Sequence, residues 1–123
     1  MPLATYKLLH ILGVLLIFAA LGGLALTVAD GATKETSSVR KLIGMTHGIG
    51  MLVVLVGGFG ALARLDIQGG GLPGWIIVKL AVWLALGALI TLPYRRPATA
   101  RTVFWLLPVL GAVAVSMALW KPF

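Results

Sequence analysis

Four long apolar stretches, separated by short polar segments, run along the chain at about 6–29, 42–63, 74–92 and 103–120. Each is close to the roughly 20 residues that a helix needs to cross the hydrocarbon core of a bilayer. Lipid offers no partners to exposed backbone N–H and C=O groups, so stretches of this kind fold as helices. Because the connecting segments are short, the pattern predicts an all-α membrane protein built as an antiparallel four-transmembrane-helix bundle. We expect a single transmembrane domain over residues 1–123.

The composition predicts no separate soluble domain. Of the 123 residues, 60% are hydrophobic and 11% are charged, whereas soluble domains are about 45–50% apolar and about 25% charged. The chain has no cysteine, which excludes disulfides, thiolate ligands and cysteine-based redox chemistry. The expected partners are the lipid bilayer and either further copies of the chain or a larger membrane complex.

The basic residues predict an orientation in the membrane. The net charge is +7, and most of it lies in the connecting segments, which indicates membrane topology and contact with anionic headgroups rather than nucleic-acid binding. Lys and Arg accumulate in cytoplasmic loops. The pattern therefore predicts a multi-pass protein of the bacterial inner membrane with both termini outside. The predicted cytoplasmic side holds Lys34, Arg40, Lys41, Arg95, Arg96 and Arg101, and the other side holds Lys7, Arg64 and Lys121.

Three ionisable side chains fall inside the apolar stretches: His10, His47 and Lys79. A charged lysine at the centre of a membrane helix costs about 2.5–3.5 kcal/mol on insertion scales, so such residues mark candidate functional sites. With a rise of 1.5 Å per residue, His10 lies about 6 Å and Lys79 about 7.5 Å from the same face of the membrane. His47 lies about 7.5 Å from the opposite face. The heights predict one level that contains His10 and Lys79 and a second level that contains His47.

This division bears on the cofactor that the residues could hold. The two histidines differ in height by roughly 15 Å, which disfavours one upright haem ligated by both and leaves a tilted haem open. His10 could ligate haem iron alone or hydrogen-bond a quinone carbonyl, and Lys79 could pair with a propionate or donate to a substrate oxygen. His47, with basic residues nearby, suits an anionic lipid, a propionate or a quinone headgroup. The simpler alternatives are histidines that hydrogen-bond a neighbouring helix and a Lys79 side chain that extends to the interface.

Glycines follow the same two histidines. Gly13 and Gly50 each come three residues after a histidine, so each leaves a bare patch about one turn along the same helix face. A porphyrin edge or a neighbouring helix would fit there. The second stretch also contains small residues at small-xxx-small spacing, which permits close helix contact: Gly44 with Gly48, and Gly57 with Ala61.

A family pattern emerges from three short motifs. Lys7-Leu8-Leu9-His10 lies early in the first stretch, Met45-Thr46-His47 early in the second, and Gly74-Trp75-Ile76-Ile77-Val78-Lys79-Leu80 opens the third. Together they resemble the SirB-like family of small bacterial membrane proteins and, more distantly, HemJ-type protoporphyrinogen oxidases and the CopD-like group. The HemJ resemblance implies that haem b is bound and that His10 and Lys79 are the functional pair.

From these observations we predict a small integral membrane protein, associated with haem b or a quinone, that takes part in electron transfer. The candidate cofactor-binding residues are His10, Lys79 and His47, and the two histidines are the candidate iron ligands. One alternative is a non-catalytic accessory subunit of a larger respiratory or photosynthetic complex. A second is protoporphyrinogen oxidation of the HemJ type. No residue is assigned a catalytic role.

Overall fold

The computed structural model describes residues 2–65 and 72–121, and every regular element in this part of the chain is a helix. The expectation of an all-α protein is therefore confirmed for the described residues. In chain order the elements are α1 (Leu3–Ala29), α2 (Arg40–Arg64), α3 (Gly74–Ala88), α4 (Leu92–Arg95), a 3-10 turn (Pro97–Thr99) and α5 (Ala100–Trp120).

Three helical segments are long and apolar enough to cross a membrane: Leu3–Ala29, Arg40–Arg64 and Pro97–Trp120. The third apolar stretch behaves differently. Its helix, α3, has 15 residues, which corresponds to about 22 Å and is shorter than a hydrocarbon core of about 30 Å. It ends at Ala88, four residues before the predicted end at position 92.

Pro93 explains the early end of α3. Proline has no N–H to donate to the carbonyl four residues earlier, its ring clashes with that carbonyl, and it disfavours helical backbone angles in the residue before it. A helix that ran through Pro93 would therefore be disrupted from Leu89 onward. The chain instead turns over residues 89–91 and starts a new one-turn helix, α4, in which Pro93 occupies a position near the start. A proline is tolerated in this first turn.

The bundle is held together differently at its two ends. The end where α1 finishes has a side-chain core, in which Ile17, Leu21 and Leu24 of α1 are almost fully buried against Val103 of α5 and Leu86 of α3. The end where α1 begins is joined mainly by backbone approach between α1 and α2. Packing of this kind suits a membrane protein, because lipid provides no hydrophobic drive for helices to associate.

Glycines make the close approach of α1 and α2 possible. A Cβ atom placed on Gly13 would lie 2.6 Å from the Val54 backbone nitrogen, and one on Gly57 would lie 2.5 Å from the His10 backbone nitrogen. By contrast, Gly44 and Gly48 have no other group within 4 Å of a built Cβ. Of the two small-residue pairs in α2, the pair Gly57 and Ala61 therefore includes a glycine that packs against α1. The pair Gly44 and Gly48 lies on an open surface of α2.

This contrast predicts opposite effects for the same substitution at two positions of α2. Gly57→Ala should lower the free energy of unfolding by about 1–3 kcal/mol, because the methyl group collides with the α1 backbone. Gly48→Ala should be neutral or stabilising by up to about 1 kcal/mol, because only helix propensity changes. Unfolding by SDS in mixed micelles, followed by circular dichroism, measures both. Equal effects of the two substitutions would contradict the packing.

Candidate functional site

His10 lies on α1 at the glycine-packed end and is half-buried. Its Nδ1 is 3.0 Å from the carbonyl oxygen of Val54 on α2. A carbonyl can only accept a hydrogen bond, so Nδ1 is the ring nitrogen that carries the proton in the neutral imidazole. The lone pair of Nε2 is therefore left for another partner. This is the arrangement found at metal-ligating histidines, in which the second ring nitrogen is fixed by a carbonyl or carboxylate.

Gly58 allows the ring to reach that carbonyl. It lies four residues after Val54, which places it one helical turn along α2 beside the acceptor. A Cβ atom there would be 3.1 Å from His10 Nδ1 and 3.3 Å from Cε1. Any side chain at this position would thus crowd the imidazole against its acceptor. Gly58 was not singled out from the sequence, because its spacing from Val54 has meaning only when the His10 contact is known.

Lys79 lies on the face of α3 that packs onto the bundle. Ile76 and Leu86 on this face are buried, Trp83 is half-buried, and Lys79 itself is half-buried between them. Its amine lies close enough to the His10 imidazole to interact with it electrostatically. The two residues that were predicted to share a level thus lie within electrostatic range of each other, and Lys79 is half-buried on the packed face of α3.

Lys121, just beyond the end of α5, adds a second amine to this group. It lies within electrostatic range of Lys79, and its Nζ is 5.3 Å from the centre of the Trp75 ring, a cation–π distance. Asp30 and Glu35, the acidic residues that the structure describes, follow the opposite end of α1. We call His10, Lys79, Lys121 and Trp75 the outer cluster, after the side of the membrane on which the distribution of Lys and Arg predicts it. Lys79 is within electrostatic range of both His10 and Lys121, and no carboxylate of the described residues contributes there. This charge pattern suits an anionic or electron-rich ligand.

His47 occupies a different environment. It is 6% exposed, and its Nε2 donates to the carbonyl oxygen of Leu86 at 3.0 Å. Leu86 lies in the last turn of α3, where helix carbonyls lack partners within the helix. The backbone hydrogen bonds of the described residues around this turn end on Ala85 and Ala88, not on Leu86. His47 therefore caps the end of α3 with a side chain supplied by α2.

This role bears on the headgroup site that the sequence analysis proposed for His47. The imidazole is enclosed between α2 and α3 and is not open to a lipid or quinone headgroup. Arg40, one of the basic residues expected beside it, donates instead to the Lys34 carbonyl at 3.3 Å in the loop. Of the alternatives left open for His47, the geometry corresponds to a histidine that hydrogen-bonds a neighbouring helix.

Trp83 makes a polar contact between helices that was not predicted from the sequence. Its Nε1–H donates to the carbonyl of Met51 on α2 at 3.1 Å. With the two histidine contacts, it forms a set of ring N–H donors that reach carbonyls of neighbouring helices. A signal was present in the sequence, since Trp83 follows Lys79 by four residues and so shares its helix face. The acceptor on α2 could not be identified without the tertiary structure.

The two histidines do not converge on one cofactor position. His10 reaches α2 at Val54, seven residues beyond His47, which is about 10 Å along that helix. The bare patches beside the histidines are filled by the partner helices, because Gly50 packs against the backbone of Gly13 and Ile17. A porphyrin edge has no room between α1 and α2 at these glycines. Within the described residues, no group of three or more His, Cys, Asp or Glu side chains could hold a metal ion.

The capping role of His47 predicts how two substitutions differ. His47→Leu should lower the free energy of unfolding by about 0.5–2 kcal/mol, because hydrogen bonds between membrane helices contribute about that much. His47→Gln keeps a donor at a similar distance from the backbone and should lose less. Amide hydrogen exchange over residues 86–92 should accelerate in His47→Leu alone. Equal exchange in both variants and the wild type would exclude the capping role.

Comparisons with known proteins do not identify a family or a function for this chain. No protein-family model, curated protein or solved structure matches the chain. The resemblance to SirB-like and HemJ-type proteins therefore stays a prediction that rests on its three short motifs. The chemistry of the outer cluster is the basis for the function proposed below.

Proposed function

We propose that the protein is a four-helix protein of the bacterial inner membrane that binds haem b or a quinone at the outer cluster and takes part in electron transfer. One observation carries the proposal. The Nδ1 of His10 is fixed by the Val54 carbonyl, which leaves Nε2 as an oriented lone pair, and the Lys79 amine lies within electrostatic range of this imidazole. A lone pair on a half-buried imidazole, with a cationic amine in electrostatic range, suits a ligand, and the contact of His10 with α2 uses the other ring nitrogen.

The residues fit a haem that is ligated from one side. Nε2 of His10, unprotonated because Nδ1 donates to the Val54 carbonyl, would bind the haem iron. Lys79 and Lys121 supply positive charge for propionate groups. A haem held by both histidines does not fit, because Nε2 of His47 is already bonded to Leu86 and the two rings lie at different heights. When bound, a haem iron supplies one-electron exchange.

The same residues fit a quinone. With Nδ1 bonded to Val54, the neutral His10 ring accepts a proton at Nε2 and cannot donate from that atom. It would therefore take a proton from a quinol hydroxyl. Lys79 would donate to the quinone oxygen and stabilise the negative charge that develops there on reduction. In this reading His10 and Lys79 have complementary roles, one as acceptor and one as donor.

The test for the proposal uses substitutions that separate the two nitrogens of His10. An asparagine side chain ends near the position of Nδ1, so His10→Asn can keep a donor to the Val54 carbonyl while it removes Nε2. Purified wild-type protein from cells supplied with a haem precursor should show a Soret band and a pyridine-haemochrome spectrum, or should carry quinone in an organic-solvent extract. His10→Asn should lose at least tenfold of the bound cofactor with an unchanged melting temperature.

His47→Gln is the matched control, because it replaces a histidine that the proposal leaves out of the site. It should retain the cofactor. Lys79→Met should weaken cofactor retention, and Lys79→Arg should restore part of it. Wild-type protein that carries neither haem nor quinone would refute the proposal, as would equal cofactor loss from His10→Asn and His47→Gln.

The alternatives are outcomes of related experiments. Copurification with a large complex, together with spectra that His10→Asn leaves unaltered, would assign the chain as an accessory subunit. Rescue of a haem-synthesis mutant, lost in His10→Asn and Lys79→Met, would assign the protoporphyrinogen oxidase activity that the HemJ resemblance implies. The favoured reading is cofactor binding, because it explains why a half-buried lysine and a half-buried histidine lie within electrostatic range of each other in an apolar bundle.

The proposed topology has four spans, with α3 and α4 forming the third crossing. An even number of spans places both termini on one side, and the distribution of Lys and Arg places that side outside. Because the chain has no cysteine, single cysteines can be introduced at exposed positions without other changes. Ala4→Cys and Trp120→Cys should both react with a membrane-impermeant maleimide in intact spheroplasts, whereas Ser38→Cys should react only after lysis. Labelling at only one terminus would instead indicate three spans.

A further inference from the structure

A groove lies between the end of α1 and the start of α5, at the opposite end of the bundle from the outer cluster. Asp30 and Arg101 line it together with Leu26, Phe104 and Trp105. Asp30 directly follows the last residue of α1, and Arg101 is the second residue of α5. Both polar side chains thus lie where membrane helices end, which is the depth of lipid headgroups.

The groove contains one charge of each sign. Asp30 and Arg101 are both exposed, and none of the side-chain hydrogen bonds of the described residues involves either of them. Asp30 is unusual here, since the loops on this side of the protein are rich in Lys and Arg. A carboxylate in the groove opposes a simple anion and favours a ligand that carries a cationic group beside its anionic one.

The rest of the groove is apolar and open. Leu26 is 55% exposed and Trp105 is 70% exposed. Trp105 makes an edge-to-face contact with Phe104, with ring centres 5.3 Å apart and planes at 84°. Tryptophan is enriched at the membrane interface, where one part of the side chain meets headgroups and the other meets acyl chains. An apolar wall of this kind next to two charges suits an amphiphile and not a free ion.

We propose that this groove binds a phospholipid whose headgroup carries both a phosphate and a primary ammonium, as in phosphatidylethanolamine. The Arg101 guanidinium contacts the phosphate, since its planar donors match phosphate oxygens. The Asp30 carboxylate accepts hydrogen bonds from the ammonium. The acyl chains lie along Leu26 and Trp105. The helix dipoles agree with this polarity, because the carboxyl end of α1 favours a cation and the amino end of α5 favours an anion.

The charges predict which lipids are discriminated. Phosphatidylglycerol offers the phosphate but no ammonium to Asp30. Phosphatidylcholine offers a quaternary ammonium, which has no N–H to donate to a carboxylate. Phosphatidylethanolamine should therefore bind more tightly than either, and the preference over phosphatidylglycerol should depend on Asp30.

Native mass spectrometry of the full chain in detergent, titrated with each of the three lipids, tests the proposal. Wild-type protein should bind phosphatidylethanolamine at least fivefold more tightly than the other two. Asp30→Asn should remove the preference over phosphatidylglycerol, and Arg101→Gln should weaken binding of both lipids at least fivefold. Glu35→Gln and Arg95→Gln are the matched controls, since they remove exposed charges of the same sign outside the groove, and both should behave as wild type.

Several outcomes would overturn the assignment. Tighter binding of phosphatidylglycerol than phosphatidylethanolamine by the wild type would assign the groove to anionic lipid and exclude the role of Asp30. Effects of Glu35→Gln equal to those of Asp30→Asn would show that net charge, and not the groove, sets the preference. Circular dichroism of each variant checks that it is folded. Asp30→Glu keeps the carboxylate and should therefore retain the preference for phosphatidylethanolamine over phosphatidylglycerol.

Discussion

The close backbone approach of α1 and α2 is the constraint on which the rest of the structure depends. At Gly13 and Gly57 the helices lie nearer than a side chain would permit without a shift, and at Gly50 they leave little space for one. In lipid, such contact provides the dispersion attraction that a hydrophobic effect cannot supply between helices. It also places the His10 ring within hydrogen-bond distance of an α2 carbonyl, with Gly58 leaving the space beside it. The same feature thus creates the helix pair and orients the imidazole.

The second feature is the way in which polar groups are satisfied in an apolar environment. A proline ends α3 early, and an ended helix leaves carbonyls without partners. The Nε2–H of His47 meets one of them, and the indole N–H of Trp83 meets a carbonyl on α2. Each contact removes an unsatisfied donor or acceptor that lipid could not solvate. They join α3 to α2 where side-chain packing between these helices is sparse.

Because of these contacts, the two histidines have different roles. His47 is buried and uses Nε2, the nitrogen that most easily reaches a distant partner, on a structural bond. His10 uses Nδ1 for its structural bond and keeps Nε2 for another group. The outer cluster then adds Lys79 and Lys121. A lysine amine in an apolar bundle costs free energy unless a partner compensates for the lost hydration, which is why the cluster, and not His47, is the basis of the proposed function.

The sequence by itself determined the helical class and three of the apolar spans, and it singled out His10 and Lys79 as ionisable residues within apolar stretches. Apolar runs of sufficient length leave the backbone no alternative to helix in lipid, and a constant rise per residue converts position into height. Only the tertiary structure decided the role of each histidine nitrogen, which of Gly57 and Gly48 packs against another helix, and the Trp83 contact. Rotation about a helix axis and the pairing of helices depend on contacts between residues distant in sequence, such as His10 with Val54 and His47 with Leu86. The periodicity and spacing of residues within one helix do not identify the residues on another helix that they will contact.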